Sequence, residues 1–230
     1  LAFIAEAVFR TIPDLPLKST GLLLFPDVPS ACEAIEPLTT SGAKALELMD
    51  RASLRSIEGR PGIPAFVNEL PQKAAAILAE YQAGTEAELA DSEGAFHAAA
   101  PRLPLTTPAR FTRDAMVQRQ LWAARKGLTA TIGAMRPLGT SLIFEDVAFP
   151  LPRLPAGVTD LQALLVQHGY ADGIVFGHAK DGNIHFILSQ SFNDAASIEK
   201  YERFTDDLVA MVVDQYDGAL KAEHGTGRNM

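Results

Sequence analysis

Two histidines and an asparagine form the strongest chemical signal in the sequence, within the stretch GHAKDGNIH. Asp181-Gly182 is a preferred pair for a two-residue type I′ turn, because both central residues need a positive φ. Such a turn would place His178 directly opposite His185 in a hairpin, with Asn183 on the same side of the sheet. The Cβ atoms of the two histidines would lie about 5 Å apart, and ring nitrogens at that separation could ligate one metal ion. Histidines bonded to backbone or water are the equally supported alternative, and a register shift of one residue would separate the rings.

Glu223 and His224 form a second candidate, in the glycine-rich run EHGTGR. Glu223 could complete a site of two histidines and one carboxylate that leaves a position open for substrate. His224 could act as a general base, since a free imidazole titrates near neutrality. The alternative is a helix-to-loop connection with a surface histidine. Adjacent strand residues point to opposite faces, so both side chains reach one pocket only if the strand predicted over 219–222 ends at Glu223.

Arg125 is the third candidate, because it lies on the apolar side of a predicted helix. The stripe that contains it has spacings of four and three: Phe111, Ala115, Gln118, Trp122 and Arg125. A guanidinium held on that side needs an anion, and its planar fork fits a carboxylate bidentately. A structural salt bridge to Glu145 or Asp146 is an equally supported alternative.

Composition excludes several classes of protein. The 230 residues are 47% hydrophobic and 21% charged, as in a folded domain rather than a disordered chain. The net charge of −8 argues against a nucleic-acid partner, because phosphate binding needs clustered Lys and Arg. No apolar run reaches the roughly 20 residues of a membrane span. The single cysteine, Cys32, suits a reducing cytoplasm, and we interpret it as a core residue rather than a reactive thiol.

The elements that must position these residues include two strand–helix–strand units. In the first, Asp27 begins a helix between two strands, and the three elements are predicted over 21–25, 28–38 and 43–49. In the second, Thr159 caps a helix that stops at Gly169, and the elements are predicted over 140–149, 159–168 and 172–178. Two such units predict an α+β fold and are compatible with an internal duplication.

Further elements are predicted between and after these units. They are a strand over 75–81, helices over 85–99 and 112–126, and a long helix over 196–216 with one apolar face. The segment 56–64 contains two glycines and two prolines, which predicts a surface loop.

Five segments carry a resemblance to a known family: FPDVPSACEAI, ALELMDRASLRS, LWAARKGLTATIGAMRPLGTSLIFEDVAFPLPRL, GYADGIVFGHAKDGNIHF and YDGALKAEHGTGRNM. There the chain resembles the C-terminal substrate (cap) domain of FAD-linked oxidases of the vanillyl-alcohol-oxidase type, in the branch of D-lactate and D-2-hydroxyacid dehydrogenases. The resemblance implies that residues 1–230 are a piece of a longer protein. In that protein 1–18 would end the link from an FAD domain, and the last part of the fold would follow Met230. It also implies duplicated ferredoxin-like units on a large antiparallel sheet covered by helices.

The resemblance also implies a metal centre and a base. A divalent ion, Zn or Fe/Mn, would bind to His178, His185 and Glu223. His224 would act as the base near the flavin. FAD would be bound mainly by the preceding domain, and an iron–sulfur cluster occurs elsewhere in long members of the branch.

For the substrate, the resemblance implies that Arg125 binds a carboxylate, that Asn183 lies in the site and that Thr129 matches a contact residue. Two departures from the family pattern stand out. Lys180 replaces a glycine that usually follows the first histidine by two positions. Phe144 replaces a basic residue that some members carry before the strand of the D…P motif, and this leaves the identity of the substrate open.

The sequence therefore predicts a part of a cytoplasmic flavin-dependent dehydrogenase, with peripheral membrane association of the parent protein left open. Its partners would be a small 2-hydroxy acid such as D-lactate and the FAD domain of the same parent chain. The 230 residues alone are expected to be catalytically inert. The alternative is a non-catalytic regulatory module that binds a metal or a small acid.

Overall fold

Seven strands form one antiparallel sheet in the described part of the chain, residues 5–60 and 63–225 of a computed structural model. They are β1 (Leu17–Phe25), β2 (Ala45–Met49), β3 (Ala75–Ala83), β4 (Phe111–Thr112), β5 (Ser141–Ala148), β6 (Ile174–His178) and β7 (Asn183–Gln190). Their order across the sheet is β4-β1-β3-β2-β6-β7-β5, and every neighbouring pair is antiparallel. The sheet confirms the predicted large antiparallel architecture.

Eight α-helices accompany the sheet over the same described residues. They are α1 (Val28–Glu33), α2 (Ile35–Thr40), α3 (Arg51–Ser56), α4 (Glu86–Ala99), α5 (Ala115–Lys126), α6 (Leu128–Met135), α7 (Leu154–Gln167) and α8 (Ala195–Val209). Short 3-10 segments occur at Ala65–Glu69, Ala100–Arg102, Leu151–Arg153 and Ala179–Asp181, and a π-helical turn, Ala210–Gln215, continues α8. The combination of helices and sheet confirms the α+β class.

The chain order repeats once along the molecule. The first half runs β1, α1–α2, β2, β3 and α4, and the second half runs β5, α7, β6, β7 and α8. β3 lies between β1 and β2, as β7 lies between β5 and β6, and the halves join where β2 pairs with β6. The two halves thus have the duplicated design that was predicted, and the join brings the end of β6 next to β2.

Helices cover both faces of the sheet. Helices α1, α2, α4, α7 and α8 pack on one face over the larger apolar cluster. Helices α3, α5 and α6 pack on the other face over a smaller cluster that includes Phe176 and Ile187. Side chains alternate between faces along a strand. His178 and His185 lie two residues from Phe176 and Ile187, so they belong to the face that α5 covers.

The predicted start of α7 is wrong. Thr159 does not cap this helix, because it lies inside the helix and its hydroxyl donates to the carbonyl of Pro155 at 2.7 Å. The helix begins at Leu154 instead, since Pro155 suits a first turn, where its missing N–H is not needed. The predicted stop is confirmed, because Gly169 has a φ of 73°.

Three other helices differ from their predicted bounds. The helix predicted over 28–38 divides into α1 and α2, because Pro37 cannot donate the backbone hydrogen bond that would continue it. The helix predicted from residue 112 begins at Ala115, since the Asp114 side chain accepts from two backbone N–H groups and Phe111 pairs with β1. The helix predicted over 196–216 is α for its first part and π-helical after Val209.

Other parts of the prediction have simpler outcomes. Cys32 is a buried core residue, as predicted, and its burial raises the pKa of the thiol to about 12. Of the predicted link over 1–18, residues 1–4 lie outside the described residues, 5–15 have no regular secondary structure and β1 begins at Leu17. Of the predicted loop over 56–64, residues 61 and 62 are also outside the description.

Candidate active site

The turn between the two histidines is longer than predicted. Residues 179–181 form a 3-10 turn and Gly182 follows with a φ of 71°, so four residues connect β6 and β7. His178 therefore pairs with Asn183, and His185 pairs with Phe176, which makes the predicted opposition of the histidines wrong. Position 182 requires a glycine, because a Cβ atom there would lie 2.2 Å from the carbonyl oxygen of Phe149.

The two imidazoles meet in spite of this error. The observed register differs from the predicted one by two residues, which is the repeat of the strand, so His178 and His185 stay on one face. Their ring centroids are 5.2 Å apart and the rings are perpendicular. An even displacement of register changes which residues are opposite but not which face they share.

The carboxylate of Glu223 lies next to both imidazoles. Its Oε1 lies 3.0 Å from Nε2 of His185 and 3.3 Å from Nε2 of His178. These three ligand atoms lie within 4.8 Å of one another. Two imidazole nitrogens and one carboxylate oxygen are a donor set that catalytic zinc sites use, with a fourth position left for water or substrate.

Buried Asp146 on β5 holds the segment that carries Glu223. Its Oδ2 accepts backbone N–H groups from Ala222, Glu223 and His224, at 3.2, 2.6 and 3.2 Å. The strand predicted over 219–222 is reduced to one bridge, between Ala148 and Ala219. Because the backbone curves around the Asp146 carboxylate instead of extending, adjacent side chains can both reach the histidine cluster.

His224 completes a group of stacked rings. Its imidazole lies parallel to that of His185, with centroids 5.0 Å apart, and meets the ring of Phe144 edge-on at 4.6 Å. Nδ1 of His224 is 3.6 Å from Oδ1 of Asp146, which is beyond hydrogen-bond distance. Asp146, His185 and His224 form a second group of potential ligands that shares His185 with the first.

Arg125 reaches the cluster through a glutamate that the sequence analysis missed. Nη2 of buried Arg125 lies 2.7 Å from Oε2 of Glu47, and Oε1 of Glu47 lies 2.8 Å from Nδ1 of His178. The two structural partners that were considered for Arg125 are wrong, since Glu145 pairs with Lys221 and Asp146 holds backbone groups. A signal for Glu47 was present, because it is the single charged residue in the strand sequence ALELM.

The surroundings shift three pKa values in the cluster. The hydrogen bond with Glu47 raises the pKa of His178, and burial opposes that change. Burial lowers the pKa of His185 to about 3, with smaller contributions from His178 and His224. Burial also lowers the pKa of Arg125, against the attraction of Glu47. His185 is therefore neutral at physiological pH, which is the form that binds metals.

The two remaining predicted site residues, Asn183 and Thr129, lie at different distances along the chain from the histidines and in different elements, β7 and α6. Asn183 is buried opposite His178, and its Oδ1 has no hydrogen-bond partner among the described residues. Thr129 is half-buried on α6, four residues after Arg125 and across the junction of α5 and α6 at Gly127. Within 5–60 and 63–225 we find no hydrogen bond from Thr129 to the histidine cluster.

Buried polar atoms without a hydrogen-bond partner concentrate at this site. Nine such atoms occur among the described residues, and seven of them belong to the cluster. The seven are Glu47 Oε2, Arg125 Nε and Nη2, Asp146 Oδ1, Asn183 Oδ1, His185 Nδ1 and His224 Nδ1. Two of the seven, Glu47 Oε2 and Arg125 Nη2, lie 2.7 Å apart in an ion pair. Because an unpaired buried polar group costs about 1–3 kcal/mol, the concentration of the other five indicates a binding site rather than a structural network.

Among the described residues, no helix has the length and apolar character that crossing a bilayer requires.

Two curated relatives align with nearly the whole chain. D-2-hydroxyglutarate dehydrogenase of Xanthomonas citri pv. viticola is 26% identical over 233 residues, which cover 99% of this chain and 47% of the relative. D-lactate dehydrogenase of Anaerostipes hadrus is 27% identical over 240 residues, covering 99% of this chain and 48% of the relative. The chain therefore spans about half the length of these relatives.

A solved structure supports the fold. The 4-ethylphenol oxidase from Gulosibacter chungangensis in its isoeugenol complex superposes with a TM-score of 0.59 at 14% identity, over 89% of this chain and 45% of that structure. At such identity the likeness concerns the fold alone. Residues 16–230 match the family described as FAD linked oxidases, C-terminal domain. The chain belongs to this family of FAD-linked oxidase C-terminal domains.

Proposed function

We propose that the chain is the substrate-binding domain of a flavin-dependent dehydrogenase that oxidises a D-2-hydroxy acid, such as D-lactate, to the 2-oxo acid. The observation that supports this most is the concentration of unpartnered buried polar atoms around His178, His185 and Glu223. A ligand that brings a carboxylate and a hydroxyl group would supply partners for some of them, such as Nε of Arg125 and Oδ1 of Asn183. The names of the curated relatives agree with this substrate class.

The donor set at the cluster fits a divalent ion, Zn or Fe/Mn. Nε2 of His178, Nε2 of His185 and Oε1 of Glu223 would be the ligands. Glu47 supports this assignment, because it contacts the other ring nitrogen of His178, and histidines that bind metals commonly donate that N–H to a carboxylate. When bound, such an ion would supply Lewis acidity that lowers the pKa of the substrate hydroxyl.

Arg125 would bind the carboxylate at C1 of the substrate. Its Nε is buried without an acceptor, so the guanidinium still has donors to offer beyond its pairing with Glu47. A planar guanidinium binds a carboxylate bidentately, which fixes the orientation of the substrate. Asn183 would contact the substrate from the end of β7, and Thr129 would do so from α6.

His224 would accept the hydroxyl proton. The substrate C2–H bond breaks as a hydride leaves, and the two electrons of the O–H bond form the new C=O bond of the 2-oxo acid. When bound, FAD supplies the hydride acceptor. His224 suits the role of base because its ring stacks on that of His185, a proposed metal ligand, and its side chain keeps 11% of its exposure.

The FAD would be held mainly by another domain of the same parent chain. Glu223, whose side chain is 49% exposed, marks where this chain would meet that domain. An iron–sulfur cluster elsewhere in the parent and a cytoplasmic location remain predictions. The 230 residues alone would be catalytically inert.

The test uses the full-length parent protein. We expect it to contain flavin, and anaerobic addition of D-lactate or D-2-hydroxyglutarate to bleach the flavin absorbance, while the L enantiomers leave it unchanged. Metal analysis of the same sample should give about one divalent ion per chain. A parent protein without flavin, or a flavin that no 2-hydroxy acid reduces, would overturn the proposal.

A further inference from the structure

Two phenylalanine rings border the histidine cluster on the side of β5 and β6. Phe144 and Phe176 stack with centroids 5.9 Å apart and an angle of 22° between their planes, and we call this pair the aromatic wall. Phe144 also contacts the rings of His185 and His224, at 5.4 and 4.6 Å. Phe176 is buried, whereas Phe144 is half-buried, so Phe144 is the accessible member of the wall.

The wall continues into apolar surroundings. Ile187 is the cross-strand partner of Phe144, and Leu142 and Ile132 pack against the same apolar cluster. The guanidinium of Arg125 is the one cation stacked on the wall among the described residues, 4.6 Å from the centre of Phe176. A hydrocarbon group placed against Phe144 would therefore lose contact with water and gain contact with carbon atoms.

The charge around the cluster disfavours a second carboxylate on the substrate. With the histidines counted as neutral, the form in which they would bind an ion, Arg125 contributes +1 and Glu47, Asp146 and Glu223 contribute −3, which leaves −2. A divalent cation would bring this sum to zero, and the C1 carboxylate would make it −1. A second carboxylate would add another negative charge close to Asp146, two residues along the strand from Phe144, and against the negative face of an aromatic ring.

We propose that Phe144 selects the side chain of the substrate, and that the preferred 2-hydroxy acids carry an apolar or aromatic group rather than a second carboxylate. This inference rests on the proposed function and narrows it. C1 and the hydroxyl group would be held by Arg125 and the cluster, while the substituent beyond C2 packs against the aromatic wall.

The experiment measures flavin reduction in the full-length protein with four substrates: D-lactate, D-2-hydroxyisocaproate, D-3-phenyllactate and D-2-hydroxyglutarate. Because an unpaired buried carboxylate is costly, we expect kcat/KM for D-3-phenyllactate or D-2-hydroxyisocaproate to exceed that for D-2-hydroxyglutarate by about 100-fold or more. In Phe144→Lys this ratio should fall at least about tenfold, because the ammonium group supplies a partner for the second carboxylate. Phe144→Leu should keep the preference for apolar substrates.

Phe192→Lys is the matched control, because Phe192 contacts Tyr201 on α8 and is half-exposed away from the cluster. It should leave the substrate ratio unchanged. A wild-type protein that prefers D-2-hydroxyglutarate would overturn the role of Phe144 while leaving the proposed function intact. A flavin that none of the four acids reduces would overturn the proposed function, and this inference with it.

Discussion

Glu80 on β3 and Glu47 on β2 are two glutamates of the same sheet face, 4% and 6% exposed. Glu80 is surrounded by neutral donors: Thr20 Oγ1 at 2.9 Å, Gln82 Nε2 at 2.6 Å and Trp122 Nε1 at 2.6 Å. Glu47 instead contacts the ionisable groups of Arg125 and His178. Glu80 has hydrogen bonds at both of its oxygens, whereas Oε2 of Glu47 has an ion pair but no well-directed hydrogen bond.

One helix supplies both environments. Trp122 and Arg125 lie three residues apart on α5, so their side chains project from neighbouring positions on one side of the helix. Trp122 contacts Glu80, and Arg125 contacts Glu47. The difference indicates that burial does not identify a functional carboxylate. A more useful criterion is whether the polar groups around the carboxylate find all of their hydrogen-bond partners within the chain.

The largest effect is expected at the proposed metal ligands. In the full-length protein, His178→Ala and His185→Ala should each remove most of the bound metal and slow flavin reduction about 100-fold or more, since each removes one of three ligands. Metal analysis and stopped-flow absorbance measure the two quantities. His97→Ala, on the exposed surface of α4, is the control. Unchanged metal content in both cluster variants would disprove the proposed ion site.

A smaller effect is expected on α5, where neighbouring residues can be compared. Arg125→Lys keeps the charge but loses the planar fork, so kcat/KM should fall about 10- to 100-fold, mostly through KM. Trp122→Phe removes one hydrogen bond to Glu80 and should lower the free energy of unfolding by about 0.5–1.5 kcal/mol with no change in kcat/KM. Equal kinetic losses in the two variants would contradict the assigned difference.

The smallest effect on the proposed metal site is expected from a substitution of Glu80, and the same substitution of Glu47 is the comparison. Glu47→Gln should weaken metal binding about 10- to 100-fold, because an amide orients His178 less strongly than a carboxylate does. Glu80→Gln should leave metal binding unchanged. It should destabilise the fold by about 1–3 kcal/mol, since its NH₂ group would face the donors of Gln82 or Trp122. Titration with Zn²⁺ and urea unfolding separate the two outcomes. A loss of metal affinity in Glu80→Gln would contradict the proposed difference between Glu80 and Glu47.

Local chemistry could be read from the sequence where one short segment decides it. The glycine stop at Gly169, the buried Cys32 and the alternation along β7 depend on residues close together in the chain. The cap at Thr159 failed because an upstream proline started α7 earlier. The two-residue turn failed because Gly182 must fit against Phe149, which is distant in sequence.

The sequence was sufficient to predict an α+β fold, a large sheet and a face on which two imidazoles meet. Side chains alternate along a strand with a period of two residues. The predicted register was wrong by two residues, so it still placed both histidines on the correct face. Two features depend on the tertiary structure alone. Glu47 lies between Arg125 and His178, and residues 222–224 curve around Asp146. These contacts join residues 77 to 131 positions apart, and no local pattern encodes which distant strand a carboxylate will face.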